Sequence, residues 1–261
     1  MTRARPDPLD IKLMNLTASA LLIVFVLLVA GFLVRWVSRH PVFAIGGISV
    51  TGDVAHNNAA TLRANVVHRL GGTFFTLDLA QARTAFESVP WVRQAVVKRS
   101  FPNRLKVALQ EHQAVAYWGV EGDAMLVNSY GEVFEANSGE IEQENLPRLL
   151  GPDGQALIIW DMYTNLQPAY AAMDLVLEQL ELTVRGGWRA KFDSGAEVEL
   201  GSGSNQEVLE RSRRFLKTVM QVTAKHERTP DALETADLRY AEGYAIRLRG
   251  VTTDTADAQK K

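Results

Sequence analysis

The sequence predicts an α+β protein in which one long apolar helix precedes two small mixed domains. Two patterns support this prediction: an uncharged apolar run near the N-terminus, and short strand and helix patterns that alternate from about residue 42 to residue 250. The chain has 261 residues, of which 47% are hydrophobic and 22% charged, a composition typical of folded domains. We expect the following divisions: a head over 1–12, a membrane segment over 13–36, a first domain over 42–111, a second domain over 112–250 and a disordered tail over 251–261.

The composition argues against several functions. The chain has 28 Lys and Arg against 30 Asp and Glu, so it lacks the positive charge that recruits nucleic acid. It has no Cys, which excludes disulfides, thiol catalysis and Cys-ligated zinc. None of the five His lies three to five residues from another, so no local metal-binding pattern is present.

The uncharged run lies between Lys12 and Arg35. A helix over residues 13–34 would be about 33 Å long at ~1.5 Å per residue, which is enough to cross a bilayer. A buried core helix is the alternative, but Arg35, Trp36 and Arg39 are typical of the end of a membrane span. Since no small-residue cleavage site follows, we expect an uncleaved single-pass anchor. The short head favours a cytoplasmic N-terminus and an exported body, although the basic residues differ by only three to two.

The first domain begins with a strand pattern over 43–52. Asn57 or Asn58 can cap a helix, and a second helix extends from Phe75 to Val89, where Pro90 ends it. Two strands follow at 92–100 and 104–111, joined by Phe101-Pro102-Asn103. The predicted order is therefore strand, helix, helix, strand, strand.

The second domain combines strand and helix patterns, and its last strand is expected over 235–249, bent at Gly243. Alternating or apolar runs predict earlier strands at 114–118, 124–127, 132–135, 188–192 and 196–200. Helices are expected over 170–182 and 206–223. The second helix carries an apolar stripe of Val208, Leu209, Phe215, Leu216, Val219 and Met220.

No catalytic or cofactor motif is present in the sequence. The loop at 201–206 resembles a dinucleotide loop, but Gln206 replaces the third glycine, so we interpret it as a capped loop before a helix. The acidic residues Glu140, Glu142 and Glu144 lack apolar neighbours that would raise a carboxyl pKa. His112 is interpreted as a structural residue. We therefore expect no enzyme activity, cofactor, metal or small-molecule substrate.

Several segments, in order along the chain, resemble a known family. FAIGGISVTG (43–52), GGTFFTLDL (71–79) and the run from Val89 to Trp118 are similar to the POTRA domain of the FtsQ/DivIB family. LPRLLGPDG (146–154), the run from Leu182 to Gly201 and ADLRYAEGYAIRL (236–248) are similar to the β domain of that family. The likeness covers the chain from Met1 to about Arg249.

The last predicted strand is the candidate binding site. A strand at the end of a sheet leaves N–H and C=O groups unpaired, so a partner strand can add to it by β-augmentation. Tyr240, Tyr244 and Ile246 are the expected anchors, and Gly243 would allow close backbone approach. The expected charge-selecting residues are Arg239, Glu242 and Arg247. Core packing is the alternative role for Tyr240.

The resemblance implies a non-enzymatic cell division scaffold in the bacterial inner membrane at the septum. It implies that the last strands bind FtsB and FtsL near the FtsW–FtsI synthase, and that the POTRA domain contacts FtsK. The residues matching the family site are Arg239, Tyr240 and Gly243, together with Arg185 and Trp188. For Trp188, as for Tyr240, core packing is the alternative role. Glu242 and Gly186-Gly187 depart from some relatives, so the charge of the partner is open.

Two other functions are weighed against the scaffold. POTRA domains also assist secretion of β-barrels, but such proteins carry several POTRA copies or a barrel, and this sequence shows neither an internal repeat nor a run of barrel strands. An anchored envelope hydrolase would need a site with perturbed carboxylates or a metal.

Overall fold

The computed structural model describes residues 9–137, 139, 141, 146–240 and 242–251. It divides into two compact units, Met1–Glu111 and His112–Lys261. Most of the expected head, the acidic residues Glu140, Glu142 and Glu144, and all but the first residue of the expected tail lie outside the described residues.

The N-terminal helix α1 extends over Leu9–Ser38. Its segment Leu13–Ser38 has a mean hydropathy of 2.7 and is long and apolar enough to cross a membrane. None of that segment is buried by the described chain, which argues against the alternative of a buried core helix. Leu22 and Phe25 are about two-thirds exposed, as expected of side chains that contact lipid.

The first unit has the predicted order of elements. They are β1 (Gly47–Gly52), α2 (Ala59–Val66), α3 (Leu79–Glu87), β2 (Val92–Ser100) and β3 (Arg104–Glu111), with short 3-10 helices at Pro41–Phe43 and Val67–Arg69. The sheet has the strand order β1-β3-β2, in which β1 is parallel and β2 antiparallel to β3. Asn58 caps α2 as predicted, and Leu62, Phe86 and Val107 lie in the core.

Helix α3 is shorter than the sequence predicts. Asp78 accepts hydrogen bonds from the N–H groups of Ala80 and Gln81, so α3 begins at Leu79. Phe75 matches the helical spacing but precedes this cap and is 48% exposed. The expectation that Phe75 lies on the helix was therefore wrong.

The second unit is built on one mixed sheet with strand order β12-β11-β10-β9-β8-β7-β4-β5-β6. Its elements are β4 (Ala114–Trp118), β5 (Met125–Asn128), β6 (Val133–Glu135), β7 (Arg148–Leu150), α4 (Ala156–Ala171), β8 (Leu177–Leu182), β9 (Gly187–Phe192), β10 (Glu197–Ser202), α5 (Asn205–Ala224), a 3-10 helix at Pro230–Ala232, β11 (Leu233–Asp237) and β12 (Ala245–Leu248).

Both long helices of this unit cover the same face of the sheet. Helix α4 connects the parallel pair β7 and β8, and α5 connects the parallel pair β10 and β11. Both crossovers advance in the same direction along the sheet, and crossovers are almost always right-handed, so both helices lie on one side. Ile159 and Leu166 of α4 pack in one core with Phe215 of α5, while the other face of the sheet carries charged residues.

The helix predicted over 170–182 was wrong. Helix α4 ends at Ala171, and residues 177–182 form strand β8. The register of β8 on β9 shifts between Leu177 and Gln179, which places Leu177 and Leu180 together in the core. Leu177 and Leu180 therefore share one face of the sheet, although they lie three positions apart, because of a bulge in a strand and not because of a helix.

The single bent strand predicted over 235–249 was also wrong. This region forms the antiparallel pair β11 and β12, joined by residues 238–244. Strand β11 is paired on both sides, by β10 and β12, so of these two strands β12 lies at an edge of the described sheet and β11 does not; β6 forms the opposite edge. Helix α5 agrees with its predicted apolar stripe except at Met220, which is 54% exposed. The α+β class is confirmed.

Candidate partner-binding site

The candidate site lies where the connection between β11 and β12 meets the edge strand. Strand β9 is antiparallel to both β8 and β10, and β11 is parallel to β10. The turn before β9 and the connection after β11 therefore lie at the same end of the sheet. This topology brings Arg185 to the end that also carries Arg239, Tyr240 and Gly243.

Strand β12 has one paired side and one open side. Its residues Ala245–Leu248 pair with β11, and it is the last strand in the order of the described sheet. Ile246 and Leu248 turn toward the core, whereas Ala245 and Arg247 are exposed. The outer edge therefore offers main-chain N–H and C=O groups beside an exposed side chain, as strand addition requires.

Arg239 forms a paired contact with Asp237 at the start of the connection. Its Nε lies 2.9 Å from Asp237 Oδ1, and its terminal nitrogen lies 2.6 Å from Oδ2. The Arg239 N–H also donates to Oδ1 at 3.0 Å. These hydrogen bonds hold the pKa of Asp237 below its ordinary value. Because much of the charge of Arg239 is engaged by Asp237, its first role is to shape this connection.

The residues after Arg239 divide into exposed and packed groups. Tyr240 is 59% exposed, so the alternative of core packing does not hold for it; Glu242 and Gly243 are exposed as well. Tyr244 instead packs edge-on against Phe215 with ring centroids 4.9 Å apart.

Tyr244 and Ile246 are therefore not free anchors as expected from the sequence. Ile246 packs against the core of its own unit, as Tyr244 does. Both residues hold the edge strand against the core of the second unit.

Arg185 and Trp188, which lie close in sequence around the turn between β8 and β9, have different environments. Arg185 is exposed in the turn at 183–186, where Gly186 has φ 78°, a left-handed conformation that favours glycine. Trp188 is only 2% exposed and lies in the core. A direct contact between Trp188 and a partner is therefore incompatible with the structure, and the alternative of core packing holds for it.

Ion pairs on the face of the sheet opposite α4 and α5 were missed by the sequence analysis. Arg189 lies 2.7 Å from Glu199 and 3.2 Å from Glu181, which raises the pKa of its guanidinium. Arg247 lies 3.1 Å from Glu234. The signal that could have found them is strand alternation, because it places these charges on the same face of neighbouring strands.

The titratable residues of the described part of the chain do not gather into a metal site. The described part of the chain contains no group of three or more His, Asp or Glu placed to hold a metal ion. Ser204 and Glu207 form a capping box at the start of α5, as the prediction of a capped loop requires. His112 stacks on Phe134 with ring centroids 4.1 Å apart and contacts Asn128, a packed setting that agrees with a structural role.

Comparison with known proteins identifies the family. Residues 43–112 match the family model "POTRA domain, FtsQ-type", and residues 116–239 match "Cell division protein FtsQ/DivIB, C-terminal". The second match ends at Arg239, so Tyr240 and strand β12 lie beyond it.

Curated relatives share most of the chain. The cell division protein FtsQ of Burkholderia pseudomallei is 40% identical over 254 residues, covering 96% of this chain and 99% of the relative. The FtsQ proteins of Thiomonas arsenitoxydans and Bordetella pertussis are 37% and 33% identical, covering 95% and 96% of this chain and 90% and 96% of the relatives. The chain therefore belongs to the FtsQ/DivIB family of cell division proteins.

Proposed function

We propose that this protein is a non-enzymatic scaffold of the bacterial division machinery whose β12 edge binds a strand of FtsB, which brings FtsL with it. Membership of the FtsQ/DivIB family supports a scaffold role in cell division. The observation that carries the proposal is the open edge of β12 at the end of the second sheet.

The open edge would supply affinity through the main chain. A partner strand that adds to β12 satisfies N–H and C=O groups that have no strand beside them in the described sheet. Strand β12 has only four residues, so these hydrogen bonds need support from neighbouring side chains.

Specificity would come from the exposed groups beside the edge. Tyr240 offers an aromatic surface, Glu242 offers a negative charge, and Arg247 offers an exposed guanidinium that also pairs with Glu234. Arg185 lies at the same end of the sheet and would contact a part of the partner that extends past the edge strand. Arg239 would contribute through the shape of the connection that its contact with Asp237 maintains.

The remaining expectations complete the proposed assembly. The N-terminus lies in the cytoplasm, α1 spans the inner membrane, and both folded units lie in the periplasm at the septum. There the scaffold holds FtsB and FtsL near the FtsW–FtsI synthase, and the POTRA unit contacts FtsK. The candidate single span and the family support this arrangement.

Pull-down of FtsB by the full chain tests the proposal. We expect Tyr240→Glu and Gly243→Arg each to reduce FtsB recovery at least tenfold, with the circular dichroism spectrum unchanged, because both residues are exposed. Val120→Glu is the matched control, since Val120 is as exposed as Tyr240 but lies in the connection between β4 and β5, toward the opposite edge of the sheet. Full FtsB recovery by both edge variants would overturn the proposal.

A further inference from the structure

The POTRA unit exposes a group of large apolar side chains at one end. Phe101, in the connection between β2 and β3, is 78% exposed, Val42 is 69% exposed and Phe75 is 48% exposed. Single exposed apolar residues are common in soluble domains, but a group of them marks a surface that binds something apolar.

Phe75 and Phe101 belong to one aromatic cluster, which consists of Phe43, Phe74, Phe75 and Phe101, and Val42 directly precedes its member Phe43. Phe74 is 7% exposed and lies at its centre. Its ring centroid is 5.2 Å from that of Phe75 and 6.3 Å from that of Phe101, and Phe43 lies 4.9 Å from Phe75. The exposed rings of Phe75 and Phe101 are therefore backed by packed aromatic neighbours and lie on one continuous surface.

The aromatic cluster is attached to the end of the membrane helix. Thr73 Oγ1 donates to the carbonyl of Ser38, the last residue of α1, at 2.5 Å, and the Phe74 N–H donates to the carbonyl of Phe43 at 2.7 Å. Arg99 fixes the same segment from β2, through hydrogen bonds of 2.7 Å to the carbonyl of Phe74 and 2.6 Å to that of Leu77. Helix α1 has 30 residues and is therefore about 45 Å long, more than the ~30 Å hydrocarbon core, so its end reaches the headgroup region.

Cations lie on the outer face of β2 and β3, the two strands that the connection with Phe101 joins. Lys98 of β2 lies directly opposite Lys106 of β3. Arg104, two residues before Lys106 and on the same face of β3, is also exposed. Two like charges in direct register destabilise a sheet, so their presence favours an anionic ligand. The other outward positions of β2 and β3 carry no acidic residue to neutralise them; these are Gln94, Val96, Ser100, Ala108 and Gln110.

We propose that this end of the POTRA unit docks on the bilayer that α1 crosses. Phe101, Phe75 and Val42 enter the boundary between headgroups and acyl chains, and Lys98, Arg104 and Lys106 bind anionic phospholipid headgroups. Apolar residues flanked by cations are the usual composition of a surface that lies on a membrane. A protein partner would also fit an apolar cluster, but the attachment to the end of α1 places lipid within reach. This docking would restrict rotation of the POTRA unit on its anchor, and it does not depend on the proposed binding of FtsB.

Photocrosslinking of the full chain in lipid nanodiscs tests the docking. Benzoylphenylalanine at position 101 keeps an aromatic side chain there, and the nanodiscs contain phosphatidylethanolamine and phosphatidylglycerol. The control position is Val54, which is 48% exposed but follows the far end of β1, away from the connection that carries Phe101. Mass spectrometry should detect phospholipid adducts several-fold more often at position 101 than at 54. Equal yields at the two positions would overturn the proposal.

A second comparison isolates the charges. In the chain with the probe at 101, Lys98→Gln with Lys106→Gln should lower the adduct yield several-fold in discs that contain phosphatidylglycerol, and leave it unchanged in discs of phosphatidylcholine alone. An unchanged yield in both lipids would refute the headgroup contact. If the probe at 101 crosslinks in cells to a protein and yields no lipid adduct, the surface is a protein interface and the docking on lipid is wrong.

Discussion

The hydroxyl of Tyr244 lies 2.7 Å from Thr218 Oγ1 and fastens the start of the edge strand β12 to helix α5. The ring of Tyr244 packs on Phe215 of the same helix. The residue that looks like a partner anchor in the sequence is thus the internal support of the edge on which the proposed partner strand would lie.

Substitutions of Tyr244 should lower the free energy of unfolding, and the loss should be larger when the ring is removed together with the hydroxyl. Tyr244→Phe should lower the free energy of unfolding by about 1 kcal/mol, because it removes one hydrogen bond and keeps the ring. Tyr244→Ala should cost about 2 kcal/mol or more, because the packing on Phe215 is lost as well. Urea denaturation measures both values. In a double-mutant cycle, Thr218→Val should add little to Tyr244→Phe, and full additivity would show that the two hydroxyls do not interact.

The contact between Asp237 and Arg239 predicts a pH dependence. Arg239 holds the pKa of Asp237 below its ordinary value of 3.8, so the ionised form stabilises the folded state. This stabilisation is fully present above the ordinary value and is lost as the pH falls through the lower folded-state value. The difference in unfolding free energy between the native chain and Asp237→Asn should therefore be constant near neutral pH and shrink below about pH 4. Denaturation at a series of pH values measures this difference.

The control for this pH series is Asp153→Asn, since Asp153 is exposed and takes no part in the contact between Asp237 and Arg239. Its difference from the native chain should stay small throughout the series. A difference for Asp237→Asn that grows on acidification would contradict the assigned direction of the pKa shift.

Arg185 and Trp188 should respond in opposite ways to substitution. Trp188→Ala should cost about 3 to 5 kcal/mol of stability, because it opens a cavity in the core. Arg185→Glu should change stability by less than about 0.5 kcal/mol, because its side chain is exposed, yet it should weaken FtsB binding. Thermal denaturation and pull-down separate the two effects. A loss of FtsB binding by a stable, folded Trp188→Phe variant would give Trp188 a more direct part in recognition than its burial allows.

The features predicted correctly depend on local sequence. The apolar run of α1, the cap at Asn58 and the capped loop before α5 each involve residues within a few positions of one another, so their structure follows from short-range rules. The errors arose where distant partners decide the outcome. The bulge in β8 depends on its pairing with β9, which the spacing of Leu177 and Leu180 cannot reveal.

The amino-acid sequence by itself determined the apolar anchor, the order of elements in the POTRA unit, the absence of catalytic motifs and the likeness to one family, since each follows from residue type and spacing along the chain. Only the tertiary structure decided that β12 has an open side and β11 does not. Pairing of β11 with both β10 and β12 closes most of the region that looked accessible, burial removes Trp188 from the surface, and packing on Phe215 engages Tyr244. The physical reason is that strand alternation tells which residues share a face, whereas the neighbours of a strand are set by segments far away in the chain.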